Sequence, residues 1–167
     1  NSKNIETLEN NINDLSERNE KLNQDNKELE KKEIELLDLF INFETMYKES
    51  FNKRDLLIKL LHERGDSIGI NFPTPRRVLS NTAVAKKYTV SPNQISKNNS
   101  NIMSNSKIIE NIDSLDVYIR ATIMIGDKIL IQLDDVEISK KENLEKIKEN
   151  IEVIKKFKKK IETIKEQ

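Results

Sequence analysis

Cysteine is absent from the chain, and glycine and proline are scarce, with three of each in 167 residues. The lack of cysteine excludes disulfide frameworks, thiolate metal sites and cysteine nucleophiles. Too few glycines and prolines are present to form the turns of a β-sandwich, a barrel or a doubly wound sheet. A run of 18 apolar residues is also missing, so no membrane span is predicted. This composition excludes a large β or α/β enzyme.

Charge is what the chain has in abundance, with 29 basic and 29 acidic residues against 35% apolar residues. Such a composition favours long solvated helices over one large core. The positions of glycine and proline divide the chain into four predicted segments. These are a coiled-coil helix over 1–64, a basic irregular segment over 65–115, a β-hairpin over 116–138 and an amphipathic helix over 139–167. The chain begins at Asn1 without an initiator Met, so we expect a fragment of a longer protein.

A seven-residue repeat with leucine at d runs through the first forty residues and predicts a parallel coiled-coil dimer. The amides of Asn19 and Asn26, at a positions, could each pair with their twins across the dimer axis, so replacing both with Leu should raise thermal stability but loosen the strand number. Asp25 and Glu30 would repel each other in a homodimer, which leaves a heterodimer open. The predicted dimerisation residues are Ile5, Leu8, Ile12, Leu15, Asn19, Leu22, Asn26, Leu29 and Leu36.

The apolar stripe widens between Ile34 and Leu61 beyond what a two-stranded seam can cover. The final helix is comparable in length to this region, so we expect the two to pack antiparallel within one chain. An open groove for a partner is the alternative. The predicted helix-packing residues are Phe40, Phe43, Tyr47, Leu57, Leu61, Leu144, Ile147, Ile151 and Ile154.

The strongest β pattern lies between these helices. Apolar residues occupy every second position from Val117 to Ile125, Gly126-Asp127-Lys128 is typical of a turn, and alternation resumes from Ile129 to Leu133. A lone hairpin is marginal in water, so short strands at 67–72 and 84–90 are expected to complete it. The predicted fold class is mainly α, with a long N-terminal parallel dimeric coiled coil, a small α+β head containing the hairpin, and a C-terminal helix.

The segment 71–107 contains six basic residues and no acidic ones. The basic binding candidates Arg76, Arg77, Lys86 and Lys87 could contact an acidic protein surface or DNA, whereas a plain Asn-rich linker is the alternative. Thr74 and Ser91 each precede a proline and are phosphorylation candidates. A phosphate on Thr74 would reverse the local charge.

Catalytic residues are hard to find. His62 is the only histidine, so no nucleophile and base can be paired. Asp134, Asp135 and Glu137 could hold a hard cation, but at the start of a helix they would also complement its dipole. We therefore expect no enzyme activity, no cofactor, no metal and no small-molecule substrate.

The order of elements resembles the coiled-coil subunits with a small α/β head found in kinetochore, monopolin and spindle-pole assemblies, whose heads are often RWD-like. This resemblance implies chromosome-segregation partners, cell-cycle phosphorylation and an intracellular, nuclear or cytoskeletal location. The expected function is a non-catalytic dimeric scaffold or adaptor that presents its head and basic loop to protein partners. A nucleic-acid-binding coiled-coil protein and a prefoldin-like chaperone subunit are the alternatives.

Overall fold

The structure is a computed structural model that describes residues 2–65, 72–75 and 103–167. It contains the helices α1, Ser2–Glu63, and α2, Asn105–Lys165. Contacts divide the chain into a first unit, Asn1–Glu35 with Asp134–Gln167, and a second unit, Leu36–Leu133. Each helix therefore contributes to both units. Apart from Phe72, which is not in a strand, the predicted strands at 67–72 and 84–90 lie outside the described residues.

The inner ends of both helices have the residues that such ends require. Gly65 follows α1 with a φ of 71°, a left-handed conformation that favours glycine after a helix. Ser104 precedes α2 and its hydroxyl accepts a hydrogen bond from the Lys107 amide at 3.3 Å, as an N-cap residue does. Arg64 donates to the carbonyl oxygen of Met103 and to Asn105 Oδ1, which ties the end of α1 to the start of α2.

In the first unit the two helices are antiparallel and are joined by two equivalent asparagine pairs. Asn150 Nδ2 donates to Asn19 Oδ1 at 2.8 Å, and Asn19 Nδ2 donates to the Ile147 carbonyl at 3.4 Å. Seven residues further along α1, Asn26 makes the same two bonds, and its partner Asn143 lies seven residues further back along α2. A shift of seven residues towards the C-terminus of α1 thus corresponds to a shift of seven residues towards the N-terminus of α2, as expected for antiparallel helices.

The prediction of a parallel coiled coil between two chains is therefore wrong about which helix the seam contacts. The seam, meaning the a and d positions of α1, faces α2 of the same chain. The amides of Asn19 and Asn26 are bonded to asparagines of α2 instead of to their twins. An a/d repeat indicates that a helix packs against another helix, but it does not indicate the direction of that helix or the chain to which it belongs. Whether the chain also dimerises stays a prediction.

The second unit holds most of the buried apolar side chains. In it, α1 contributes Leu36, Phe40, Leu57 and Leu61 to the buried set. The first turns of α2 pack on the end of α1 through Ile108 and Ile112, with Phe72 of the connecting segment against the same cluster. By contrast, the buried apolar residues described in the first unit are Val136 and Ile161. The other buried apolar side chains that α2 contributes to the second unit are those of Ile119, Ile123, Ile129, Leu130 and Leu133.

Arg54 is a buried cation in the second unit, with only 2% of its surface exposed. Its Nε donates to Asp116 Oδ1 on α2. Its Nη2 lies 3.0 Å from each of the carbonyl oxygens of Phe72 and Pro73. One guanidinium therefore joins α1, α2 and the connecting segment, and a planar group with five donors suits such a site.

The predicted β-hairpin and α+β head are wrong, because residues 116–138 are helical and the described residues contain no strand. The final helix is therefore much longer than predicted, and its last part packs in the first unit instead of on 34–61. Residues 117–125 alternate because α2 carries apolar side chains on two opposite sides, which imitates a period of two. Gly126 is buried inside α2 and forms no turn. Tertiary packing here overrides the strand preference of Val and Ile.

The asparagine pairs give a prediction opposite to the one made from the sequence. Asn19→Leu should lower the melting temperature, because it leaves the amide of Asn150, only 9% exposed, without its partner. The double variant Asn19→Leu with Asn150→Leu should recover the loss, with a coupling free energy of about 0.5–3 kcal/mol in a double-mutant cycle. The exposed Asn13→Leu serves as the control. Strictly additive single effects would contradict the pairing.

The burial of two isoleucines of α2 that are two residues apart distinguishes a helix from a strand. Ile123 is 6% exposed and Ile125 is 38% exposed. Ile123→Ala should cost about 2–4 kcal/mol of unfolding free energy, and Ile125→Ala should cost less than about 1 kcal/mol, measured by urea unfolding at low protein concentration. In a strand both side chains would lie on one face, so equal losses would favour the hairpin.

Removing the hydrogen bonds and the charge of Arg54 should lower the free energy of unfolding substantially. Arg54→Met leaves the buried Asp116 carboxylate unpaired, so we expect a loss of about 3–5 kcal/mol in urea unfolding. Adding Asp116→Leu should recover only part of it, because the carbonyls of Phe72 and Pro73 still lack their donor. Lys107→Met, which breaks an exposed 3.7 Å pair with Glu110, is the control and should change stability by less than about 1 kcal/mol. Similar losses for Arg54→Met and Lys107→Met would refute the role of Arg54.

Candidate interaction surface

The side of α2 that faces away from α1 in the second unit is apolar and exposed. We call it the outer face; its apolar residues are Val117, Tyr118, Ala121, Met124, Ile125 and Ile131. The exposed fractions of Val117, Met124 and Ile131 are 66%, 59% and 52%. At about 100° per residue the outer face spans an arc of about 140°, with Lys128 and Gln132 as the polar members within it. A contiguous apolar surface of this kind is typical of a binding site.

Three apolar residues of the outer face are spaced seven residues apart and therefore run parallel to the axis of α2. Val117, Met124 and Ile131 are seven apart and form one line along the helix. Such spacing fits the side chains of another helix lying alongside, as in the a positions of a coiled coil. The outer face is therefore better suited to a helix than to a small molecule.

Exposed apolar residues on α1 do not form a comparable surface. Ile34, Leu39 and Ile41 are 61%, 48% and 55% exposed. Ile34 and Ile41 are seven residues apart and share one side of α1, whereas Leu39 lies on another side. Two residues on one side are fewer than the six of the outer face, and soluble proteins commonly expose apolar side chains in such small numbers.

The predicted dimerisation residues all lie on the seam of α1. Asn26 and Leu36 are buried and the others are half-buried. Asn19 and Asn26 contact α2 through their amides. The seam is therefore occupied within one chain and is not an open surface.

The predicted helix-packing residues separate into three groups by burial. Phe40, Leu57 and Leu61 are buried. Phe43, Tyr47, Ile147 and Ile154 are half-buried, with the rings of Tyr47 and Phe51 5.7 Å apart between centroids. Leu144 and Ile151, in contrast, are 57% and 42% exposed. Asn143 and Asn150, one residue earlier, take the inward positions, and this displaces the two apolar neighbours towards water.

The basic binding candidates Arg76, Arg77, Lys86 and Lys87, and the phosphorylation candidate Ser91, lie outside the described residues. Thr74 is exposed. It follows Pro73, whose carbonyl oxygen accepts a hydrogen bond from Arg54. The backbone just before Thr74 is therefore attached to the helices.

The metal and catalytic candidates do not come together in one site within the part of the chain that the structure describes. The described ranges contain no group of three or more His, Asp or Glu side chains placed to hold a metal ion. Asp134, Asp135 and Glu137 are exposed in the middle of α2, so they do not mark a helix start as expected. His62 is exposed in the last turn of α1. Neither α1 nor α2, within the residues described, has a stretch long and apolar enough to cross a membrane.

An open depression of about 410 Å³ lies in the first unit beside the asparagine pairs. Arg18, Lys21 and Lys146 line it together with Asp25 and Glu142. Because both signs of charge are present, the lining does not select a ligand of one charge.

Comparisons with protein-family models, with curated proteins and with solved structures found no match for this chain. The described part of the chain thus defines a class only by its architecture, a two-helix α protein with an exposed apolar face.

Sequence reasoning missed the outer face, although its signal is present. The alternation from Val117 to Ile125 was interpreted at a period of two, and at that period the residues belong to one face of a strand. At the helical period the same residues divide into a buried set with Ile119 and Ile123 and an exposed set with Val117 and Ile125. The absence of any charged residue between Arg120 and Asp127 is the feature that could have revealed a helix apolar on both sides.

Proposed function

We propose that the chain is a non-catalytic scaffold or adaptor protein that binds another polypeptide through the outer face of α2. The observation that carries this proposal is that α2 is apolar on two opposite sides, while α1 covers only one of them. Ile119 and Ile123 are buried on the covered side, whereas Val117 and Met124 remain mostly exposed on the other. An exposed apolar surface on a helix that is already packed on its other side is typical of a site for a protein partner.

The packing of the two helices supports a scaffold role. Directional polar contacts, the asparagine pairs in the first unit and Arg54 with Asp116 in the second, hold the helices in one register. A fixed register keeps the outer face on the solvent side of α2, because a shift would exchange buried and exposed positions. The binding surface is therefore preorganised, which lowers the entropic cost of association.

The cellular setting stays a prediction. A role in chromosome segregation or in the cytoskeleton, and phosphorylation at Thr74 or Ser91, follow from the resemblance and the motifs alone. The exposure of Thr74 is compatible with modification. Nucleic-acid binding stays an alternative; the residues that favour it are the exposed lysines Lys155, Lys156, Lys158, Lys159 and Lys160.

One observation favours the prefoldin-like alternative more than the sequence did. The sequence predicts arms of very unequal length, whereas α1 and α2 contain 62 and 61 residues. The β-hairpins that join the helices in a prefoldin-like subunit would lie between α1 and α2, where most residues are outside the described ranges. The scaffold proposal is preferred because of the outer face, where Val117 and Met124 are 66% and 59% exposed.

Site-specific photocrosslinking tests the scaffold proposal. A photoreactive residue at Met124, on the outer face, should crosslink to a discrete polypeptide in an extract of the source cells. A photoreactive residue at Lys53, exposed on α1 of the same unit, is the matched control and should give no such product. Mass spectrometry would identify the crosslinked polypeptide and the peptide it contributes.

A competition experiment tests whether the crosslink at Met124 is specific for the outer face. Excess unlabelled wild-type protein should abolish the Met124 crosslink, whereas excess triple variant, Val117→Ser with Met124→Gln and Ile131→Gln, should not. The three side chains are exposed, so the triple variant should keep the helicity of the wild type in circular dichroism. Absence of a crosslink at Met124, or equal crosslinking at Lys53, would refute binding through the outer face.

A further inference from the structure

We infer that the polypeptide bound by the outer face is a second copy of the chain, lying antiparallel, with the two-fold axis of the dimer at Met124. This inference rests on the proposed function, since it names the partner of the same surface. A two-fold interface uses the same patch on both copies, so the patch must complement itself. The apolar positions and the charges of the outer face both satisfy that condition.

Within the second unit, the two ends of the line, Val117 and Ile131, are symmetric about Met124. Val117 precedes Met124 by seven residues and Ile131 follows it by seven. In an antiparallel pair centred there, Val117 lies opposite Ile131 of the second copy, and Met124 lies opposite its own counterpart. Ile125 also meets its own counterpart. The central layers of the interface are therefore apolar on both sides.

The charges at one border of the outer face are complementary under the same symmetry. Arg120, which is exposed, and Asp127, which is half-buried, lie on that border, four residues before and three residues after Met124. Antiparallel packing brings the same border of both helices together, so Arg120 lies beside Asp127 of the second copy. The symmetry repeats this contact, and opposite charges meet twice.

The position of Lys128 favours the antiparallel direction over the parallel one. In a parallel pair the residues near the middle of the outer face lie close to their own counterparts, so Lys128, which is within the outer face, would lie near Lys128 of the second copy in an apolar surrounding. Such like-charge contacts are unfavourable. In the antiparallel pair Lys128 lies opposite Ala121, a small residue beside which its aliphatic stem can pack while its ammonium group reaches water.

The length of the contact limits its strength. Residues 117–131 form about four turns of helix, roughly 21 Å. A stable interface buries about 800 Å² on each partner, which is more than so short a helix pair provides. We therefore expect a dimer that forms and dissociates with protein concentration in the micromolar range.

Cysteine crosslinking of the purified protein tests the geometry, and the lack of native cysteine keeps the background clean. Met124→Cys should form a disulfide-linked dimer under mild oxidation. Val117→Cys and Ile131→Cys should each react poorly alone, and an equimolar mixture of the two should form the mixed dimer at least several-fold faster. If Val117→Cys and Ile131→Cys each crosslink to themselves instead, the copies are parallel and the inference is wrong.

Charge substitution provides an independent test by light scattering over a range of concentrations. Met124→Glu and Met124→Lys should each be monomeric, because a like charge would face itself at the axis, and an equimolar mixture should restore the dimer. Ile41→Glu, exposed on α1 of the same unit, is the matched control and should dimerise like the wild type. Circular dichroism should show equal helicity for all these variants.

The outcomes distinguish this inference from the proposed function. A purified wild type that stays monomeric at every concentration overturns the second copy as the partner. If the Met124 crosslink in extract then leads to a different protein, the scaffold proposal stands without the dimer. If neither purified chains nor extract give a contact at Met124, both proposals fail.

Discussion

Apolar surface on α2 in excess of what α1 covers is the constraint on which the account depends. In the second unit, Ile119, Ile123 and Leu130 are buried on one side of α2, and Val117, Met124 and Ile131 are largely exposed on the other. Water penalises each exposed apolar side chain, by roughly 25 cal/mol per Å². A helix of this kind gains free energy when a further helix covers it. The outer face is therefore the feature from which a binding function follows.

Buried polar groups determine how the helices meet. Leucine seams alone tolerate several registers and both directions, since apolar contacts are not directional. The amides of Asn19 and Asn26 find their partners Asn150 and Asn143 in one antiparallel register. In the second unit, a shifted register would leave Arg54 buried without Asp116, at a high desolvation cost. These groups contribute specificity more than net stability, and within the second unit Arg54 and Asp116 keep the outer face oriented to solvent.

Much of α1 could be predicted from the sequence, and much of α2 could not. The seam from Ile5 to Leu36 was identified because one polar and one apolar side give an unambiguous seven-residue repeat. Its partner was misidentified, because Asn pairs can form between twins or between two helices of one chain. The signal for the latter is that Asn143 and Asn150 are also seven apart in a helical pattern. The hairpin was predicted because a helix apolar on two sides resembles a strand, so local pattern alone could not decide between them.

The three methionines allow one measurement to test whether the outer face is open in a single chain and covered by a second copy. Met124 is 59% exposed, whereas Met46 and Met103 are half-buried. Oxidation by peroxide, followed for each methionine by mass spectrometry, should be fastest at Met124 in dilute protein. It should slow at Met124, but not at Met46 or Met103, as concentration rises. A Met124 rate that is independent of concentration, or that is already slow at high dilution, would contradict the account.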